Sequence, residues 1–245
     1  MTDAISAARL PDGSNPELLS FDVFGTLVDV RGGSAAAFQA ILDEAGARHV
    51  DVKEFWEHWE RRNIAHYWEP YRRYRDICEL SLAETLDRFQ IRANPKRIER
   101  YFDAFPGFKL YADVTPTLDR LARHHRLAVV SNIDDDLLAM TPLERTFDLV
   151  CTAERATGYK PDGTLFRYLI ANAGAAKDRI FHSGQSQFTD LVGGKQLGLT
   201  IAWINRRRVP LDDSVPRPDF VLPDIAAVLD LVGRERITPG AVCPS

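Results

Sequence analysis

Short apolar runs recur along the chain, each bounded by polar or turn-forming residues. Leu18–Phe21, 127–130, 149–151, 180–182, Thr200–Ile204 and Phe220–Leu222 carry the length and side-chain types of buried strands. Between them, residues 114–124, 137–145, 165–173 and 190–197 show the spacing of helices. Strands that alternate with helices in this way form βαβ units, which build a mostly parallel sheet covered on both faces. The expected fold class is α/β, a doubly wound parallel sheet.

One region breaks the alternation. From residue 30 to about 105 no strand pattern appears, and 35–45, 52–67, 71–89 and 95–104 read as helices. Phe55, Trp56 and Trp59 fall at helical spacing. The pattern predicts a helical cap, residues 30–105, inserted after the first strand of a core made of 1–29 and 106–245. Its aromatic residues are expected to build the insert's own core, and Trp68 and Trp203 to be packing residues. Residues 212–218 read as a loop, and 238–245 as a loose tail.

Composition narrows the function classes. The chain has 245 residues, 45% hydrophobic and 27% charged, an ordinary globular mix. With 31 basic and 35 acidic residues the net charge is −4, and no basic face suited to nucleic acid stands out. No apolar run is long enough to span a bilayer. The first residues, MTDAISAARLPDGSNPE, lack the basic start and apolar stretch of a signal peptide. Cys78, Cys151 and Cys243 are scattered and odd in number, which argues against a disulfide framework or a zinc site and fits a reducing cytoplasm. Exposed apolar residues on the cap leave a homodimer open.

The candidate chemistry gathers at strand ends. Asp22 follows the first strand, and Ser131 and Asn132 follow the second. Lys160, in GYKPD, comes after the third, and the run SGQSQFTD, ending in Asp190, follows 180–182. In a doubly wound sheet such ends converge on one crevice. Taken singly, each has a bland reading. Ser131 and Asn132 suit the start of a turn, Lys160 a surface position, and Asp190 a first-turn helix position. The Arg206-Arg207-Arg208 run reads as a solvated loop.

These four stretches together resemble the haloacid dehalogenase superfamily, from about Leu18 to about Leu231. SFDVFGTLVD resembles its first motif, with the nucleophilic aspartate at Asp22. VVSN resembles the second, YKPDG the third, and SGQSQFTD the fourth. Phosphatases of the superfamily use a second acid two residues after the nucleophile to protonate the leaving alcohol, and a fourth-motif acid to hold magnesium. Here those positions are Phe24 and Gln185. A phenyl ring passes no proton, and one aspartate with a neutral amide is a poor site for a hard cation. No metal and no cofactor are therefore expected.

A halide departs without protonation, so these losses suit the type II 2-haloacid dehalogenase branch, in which an aromatic residue stands at the position of Phe24. The resemblance implies Asp22 as nucleophile, Lys160 as its cationic partner, Thr26 as its orienting hydroxyl, and Asp190 as the group placing Lys160 and the hydrolytic water. It implies that Ser131 and the adjacent backbone amides take the carboxylate of a small substrate, with Asn132 near the leaving group and Val23 and Phe24 also at the substrate. Gln185 and Gln187 stand where the branch carries Ser and Asn, and Phe166 where it carries Tyr. The branch's halide-receiving Arg has Glu60 at the adjacent position. Arg61 is the candidate if the helix register shifts by one, and solvated surface charge is the competing reading for Arg61 and Arg62. The leading function is hydrolysis at an sp³ carbon of a small carboxylic acid through an aspartyl ester, with a 2-haloalkanoate as substrate. The alternatives are a phosphatase, ring opening of a cyclic amino acid such as azetidine-2-carboxylate, and a binding protein that keeps the fold without catalysis.

Overall fold

A computed structural model describes residues 15–232; Cys243 and the stretch 238–245 lie outside them. The strands are β1 (Leu18–Phe21), β2 (Val28–Asp29), β3 (Lys109–Leu110), β4 (Arg126–Ser131), β5 (Leu149–Thr152), β6 (Ile180–Gly184), β7 (Thr200–Ile204) and β8 (Phe220–Leu222). The helices are α1 (Val30–Glu44), α2 (Val52–His66), α3 (Tyr74–Arg88), α4 (Glu99–Asp103), α5 (Val114–Leu121), α6 (Asp135–Ala139), α7 (Ala153–Ala156), α8 (Thr164–Asn172), α9 (Val192–Lys195) and α10 (Val228–Val232).

Six strands form one parallel sheet in the order β5-β4-β1-β6-β7-β8. β1, β6 and β7 are buried along their whole length, as expected of strands covered on both faces. The chain runs outward from β1 through β4 to β5, then crosses back to the other side of β1 and runs outward again. The order reverses at β1, so the C-terminal end of β1 opens on the crevice where α/β sheets place their ligands.

All six strands expected from the apolar runs are present. The helices differ from expectation at their ends. α6 stops at Ala139 rather than 145, because Pro142 has no N–H to continue a helix. α1 starts at Val30, earlier than its pattern suggests, because Gly32 and Gly33 look like breakers. Asp29 caps it by accepting from the Gly32 N–H, and a Cβ on Gly33 would lie 2.0 Å from the Phe108 ring. Glycine there lets the helix approach Phe108.

α1 to α4 form the helical layer expected between residues 30 and 105. Its aromatic side chains do build its core: Phe38 packs on Trp59 at 4.9 Å, and Tyr101 on Trp59 at 5.2 Å and on Phe105 at 4.9 Å. That core is continuous with one face of the sheet. Trp68 does not pack as expected; it is 57% exposed, just beyond the end of α2. An antiparallel ribbon, β2 with β3, pairs Val28 with Leu110 where the chain leaves and re-enters the layer. The layer is tied to the sheet at a second place. Buried Asp134, just after β4, accepts from the Tyr74 and Arg75 N–H groups at 3.0 Å each, on the first turn of α3. A carboxylate at a helix N-terminus meets both the free N–H groups and the positive end of the helix dipole. Among the described residues no helix is long and apolar enough to cross a membrane.

Candidate active site

Asp22 is the first residue past β1, and its N–H donates to the carbonyl of Ser183 on β6. That bond holds it at the crevice rather than within the sheet. Thr26, at the end of the turn, donates its hydroxyl to Asp22 Oδ2 at 2.6 Å. The same Thr26 oxygen accepts from the Gln185 N–H at 3.0 Å, which joins the β1 and β6 loops. Lys160 lies on the loop before α8, and its backbone N–H donates to Asn132 Oδ1 at 2.9 Å. Its side chain is buried, and Nζ donates to Asp22 Oδ1 at 2.5 Å and to Asp190 Oδ1 at 2.8 Å.

Asp190 is fully enclosed. Its Oδ2 accepts from the Ser186 N–H at 2.9 Å, and its Oδ1 lies 3.2 Å from His182 Nε2. The carboxylate accepts, so Nε2 carries the proton, and Nδ1 lies 2.9 Å from the Ser20 hydroxyl oxygen. The chain Ser20–His182–Asp190–Lys160–Asp22 thus runs from inside the sheet to the crevice.

One buried ammonium serves two buried carboxyl groups. Burial works against ionisation of Asp190, but Lys160 and His182 outweigh it and hold its carboxyl below the ordinary range. Burial also pushes Asp22 up. Lys160 pulls it back, but the Asp190 charge adds to the rise, and its carboxyl stays above the usual value. Burial opposes the charge on Lys160, and Asp190 and Asp22 more than offset it. The carboxyl at the crevice is thus raised and the enclosed one lowered.

A cavity of about 110 Å³ opens in front of Asp22. On the sheet side it is lined by Asp22, Phe24, Ser131, Asn132, Lys160 and Gln185, and on the helical side by Trp56, Trp59, Glu60, Tyr67, Tyr74 and Tyr101. Phe24 packs on Phe105 at 5.3 Å and lines the cavity.

Not every residue expected at the site comes to it. Val23 is buried in the core and does not line the cavity. Phe166 is buried behind the site, edge-on to His182 at 4.9 Å. Gln187 turns away, its amide bonded to the Pro210 carbonyl and the Asp212 N–H. Arg61 is exposed and does not line the cavity, while Arg62 pairs with Glu84 at 2.5 Å. Arg206 is not solvated as expected. It donates to the Thr26 carbonyl and to both oxygens of Asp113, and lies 4.0 Å over the Tyr111 ring. Trp203 is buried as expected, and its indole N–H also holds the Gln185 carbonyl at 3.0 Å.

His182 and Glu60 are among the residues at the site that were not read from the sequence as part of it. His182 looks like an ordinary strand residue; its one signal is a polar ring inside an otherwise apolar run. Glu60 looks like a helix-surface charge, although it shares a helical turn with Trp56.

Asp22 has both oxygens engaged by Lys160 and Thr26, and neither Phe24 nor Gln185 adds a carboxylate. Among the described residues no three His, Cys, Asp or Glu side chains are grouped to hold a metal ion. The donors present do not fit a hard divalent cation.

A strand-end aspartate in a doubly wound α/β sheet, paired with a buried lysine under a helical layer, defines a hydrolase site. The model of the haloacid dehalogenase-like hydrolases matches residues 19–204, and the chain belongs to that family. It is 22% identical over 226 residues to haloacetate dehalogenase H-2 of Moraxella sp. (strain B), covering 88% of this chain and 97% of that one. Against the (S)-2-haloacid dehalogenase of Pseudomonas fluorescens it is 22% identical over 216 residues, covering 84% and 92%. The structure of L-2-haloacid dehalogenase from Xanthobacter autotrophicus superposes with a TM-score of 0.74 at 21% identity, covering 89% and 98%.

Proposed function

We propose that the protein hydrolyses the carbon–halogen bond of a small 2-haloalkanoic acid through an ester on Asp22. The observation that carries the reading is the pairing of Asp22 with Lys160 at the mouth of a cavity where Phe24 faces the reacting centre. An Asp22 oxygen attacks the halogen-bearing carbon, the carbon–halogen bond breaks, and its electron pair leaves with the halide. Water then attacks the ester carbonyl. One of its protons ends on the hydroxyl of the 2-hydroxy acid and the other is released, which returns Asp22 to its carboxylate.

Lys160 keeps Asp22 ionised through its charge, and Thr26 fixes the direction of attack. Ser131 and Asn132 stand on the sheet side, where the substrate carboxylate would lie, and Asn132 also anchors the Lys160 backbone. Asp190 acts by placing Lys160, since both of its oxygens already accept hydrogen bonds. Residues 30–105 act as a cap whose aromatic wall keeps bulk water from the ester.

The test is a screen of 2-haloacids and phosphate esters with and without chelator. Halide release that chelator does not change supports the reading. Magnesium-dependent phosphate release, with no halide release, ends it. A single turnover in heavy-oxygen water then places the label in Asp22.

A further inference from the structure

Arg206 lies just past the end of β7, and its side chain is 13% exposed. Nε and Nη2 donate to the Thr26 carbonyl at 3.2 and 2.9 Å, while Nη1 and Nη2 donate to the two Asp113 oxygens at 2.9 Å each. A planar guanidinium fork can meet a carbonyl and a carboxylate at once, which a single ammonium cannot do in the same geometry. Asp113 is fixed in turn, since its Oδ2 accepts from the Ile225 N–H at 3.0 Å. Burial works against ionisation of Asp113, but Arg206 outweighs it and holds its carboxyl below the ordinary range. The pair carries no net charge, so what it passes to the site is the position of Thr26.

Thr26 is held from two sides by this one strand end. Trp203 on β7 donates its indole N–H to the Gln185 carbonyl at 3.0 Å, and the Gln185 N–H donates to Thr26 Oγ1 at 3.0 Å. Arg206 holds the carbonyl of the same Thr26. Between these two grips the Thr26 hydroxyl donates to Asp22 Oδ2 at 2.6 Å. The grip of Arg206 is itself anchored. The neighbouring Asn205 N–H donates to the Leu222 carbonyl on β8 at 2.7 Å, and the Asn205 side chain bonds the Val209 carbonyl and N–H at 2.8 and 3.0 Å. Asp113 lies between β3 and α5, where the chain returns from the helical layer. One guanidinium therefore joins that return point to the turn that follows Asp22.

We propose that Arg206 is a positioning residue for the attack by Asp22: by gripping the Thr26 carbonyl it sets the angle at which the Thr26 hydroxyl meets Asp22 Oδ2. The proposal rests on Asp22 as nucleophile. A carboxylate free to turn loses alignment at the moment of reaction, while substrate binding is little affected. Arg206→Met is therefore expected to lower kcat roughly 10- to 100-fold with KM nearly unchanged.

The experiment is a double-mutant cycle of Arg206→Met and Thr26→Val on the whole protein. It reads kcat, KM and the carboxyl-carbon NMR titration of Asp22, assigned by its loss in Asp22→Asn. The double variant is expected to lose no more kcat than Thr26→Val alone, because Arg206 then has nothing left to position. Losses that multiply overturn the proposal. Arg206→Lys keeps a charge beside Asp113 and so protects the fold, but lacks the fork; it is expected to fall with Arg206→Met, and wild-type kcat in it overturns the proposal. The titration needs no substrate. A lost hydroxyl donor favours the neutral carboxyl, so the Asp22 titration should move up in Thr26→Val and Arg206→Met alike, and no further in the double variant. Lys160 and Asp190, the charges beside Asp22, and Glu60 across the cavity are the same in all of these proteins. A titration that moves in Thr26→Val and stays at the wild-type value in Arg206→Met overturns the proposal. If the titrations follow these rules but the wild type turns over no haloacid, the positioning role stands and the dehalogenase reading falls. If haloacids are turned over while Arg206→Met keeps wild-type kcat, only the role of Arg206 falls.

Discussion

Lys160 Nζ sits 2.5 Å from Asp22 Oδ1 although the two residues are 138 positions apart. The contact joins the β1 loop to the segment before α8, and its electrostatics set most of what can be tested.

Asp22→Asn is expected to abolish halide release, a loss of roughly 10³-fold or more. Intact mass after mixing with 2-haloacid should show an adduct in the wild type under single-turnover quench and none in the variant. The same substitution should raise stability at neutral pH. The folded protein holds the Asp22 carboxyl above its ordinary value, so its favourable contribution is full at low pH and is lost as pH rises through the raised value. Removing that charge gains stability at pH 7, and the gain should shrink in acid. Melting curves of both proteins at several pH values check this, and a neutral-pH melting point below wild type contradicts it.

Lys160→Met leaves two buried carboxylates facing each other without a cation. Breaking a buried pair in this way costs roughly 3–5 kcal/mol at neutral pH. Protonation relieves the repulsion, so urea midpoints of the variant should approach those of the wild type as pH falls.

Thr26→Val keeps the shape of the side chain and removes the hydroxyl that donates to Asp22 Oδ2. A hydrogen bond to a charged group is worth about 1.5–3 kcal/mol, so kcat/KM should fall roughly 10- to 100-fold. Unchanged kcat/KM would mean that Lys160 alone orients the carboxylate.

Gly193→Ala tests a close approach rather than a charge. A Cβ on Gly193 would lie 1.8 Å from the Lys160 carbonyl oxygen. Relieving that clash moves α9 or the Lys160 segment, at a cost of about 1–3 kcal/mol. Activity should drop at temperatures where circular dichroism still reports a folded protein.

The positions of the strands along the chain and the candidates Asp22, Ser131, Lys160 and Asp190 could be read from sequence because each candidate follows an apolar run. The strands are short and continuous in their hydrophobicity, and the fold must bring their ends together. The helical face of the cavity could not be read this way. Glu60 and Arg61 are adjacent charges on α2, and spacing alone does not say which one turns inward; the packing of Trp56 and Trp59 decides it. Val23, Phe166 and Gln187 lie close to the motifs in sequence, yet the turns carry their side chains into the core or outward. His182 was hidden for the opposite reason. A strand position looks structural, and its link to Asp190 depends on a wide turn at Gln187–Leu191 that no local pattern announces. The β2–β3 ribbon is too short to leave a pattern.

That ribbon has an evolutionary consequence. Val28 and Leu110 are directly opposite each other in the ribbon, so the whole stretch between them begins and ends at almost one point in space. Such a stretch can be exchanged for a longer or shorter one, as in a domain insertion, with the parallel sheet left undisturbed. Selection can therefore reshape the helical side of the cavity by trading one inserted module, while Asp22 and Lys160 stay where they are.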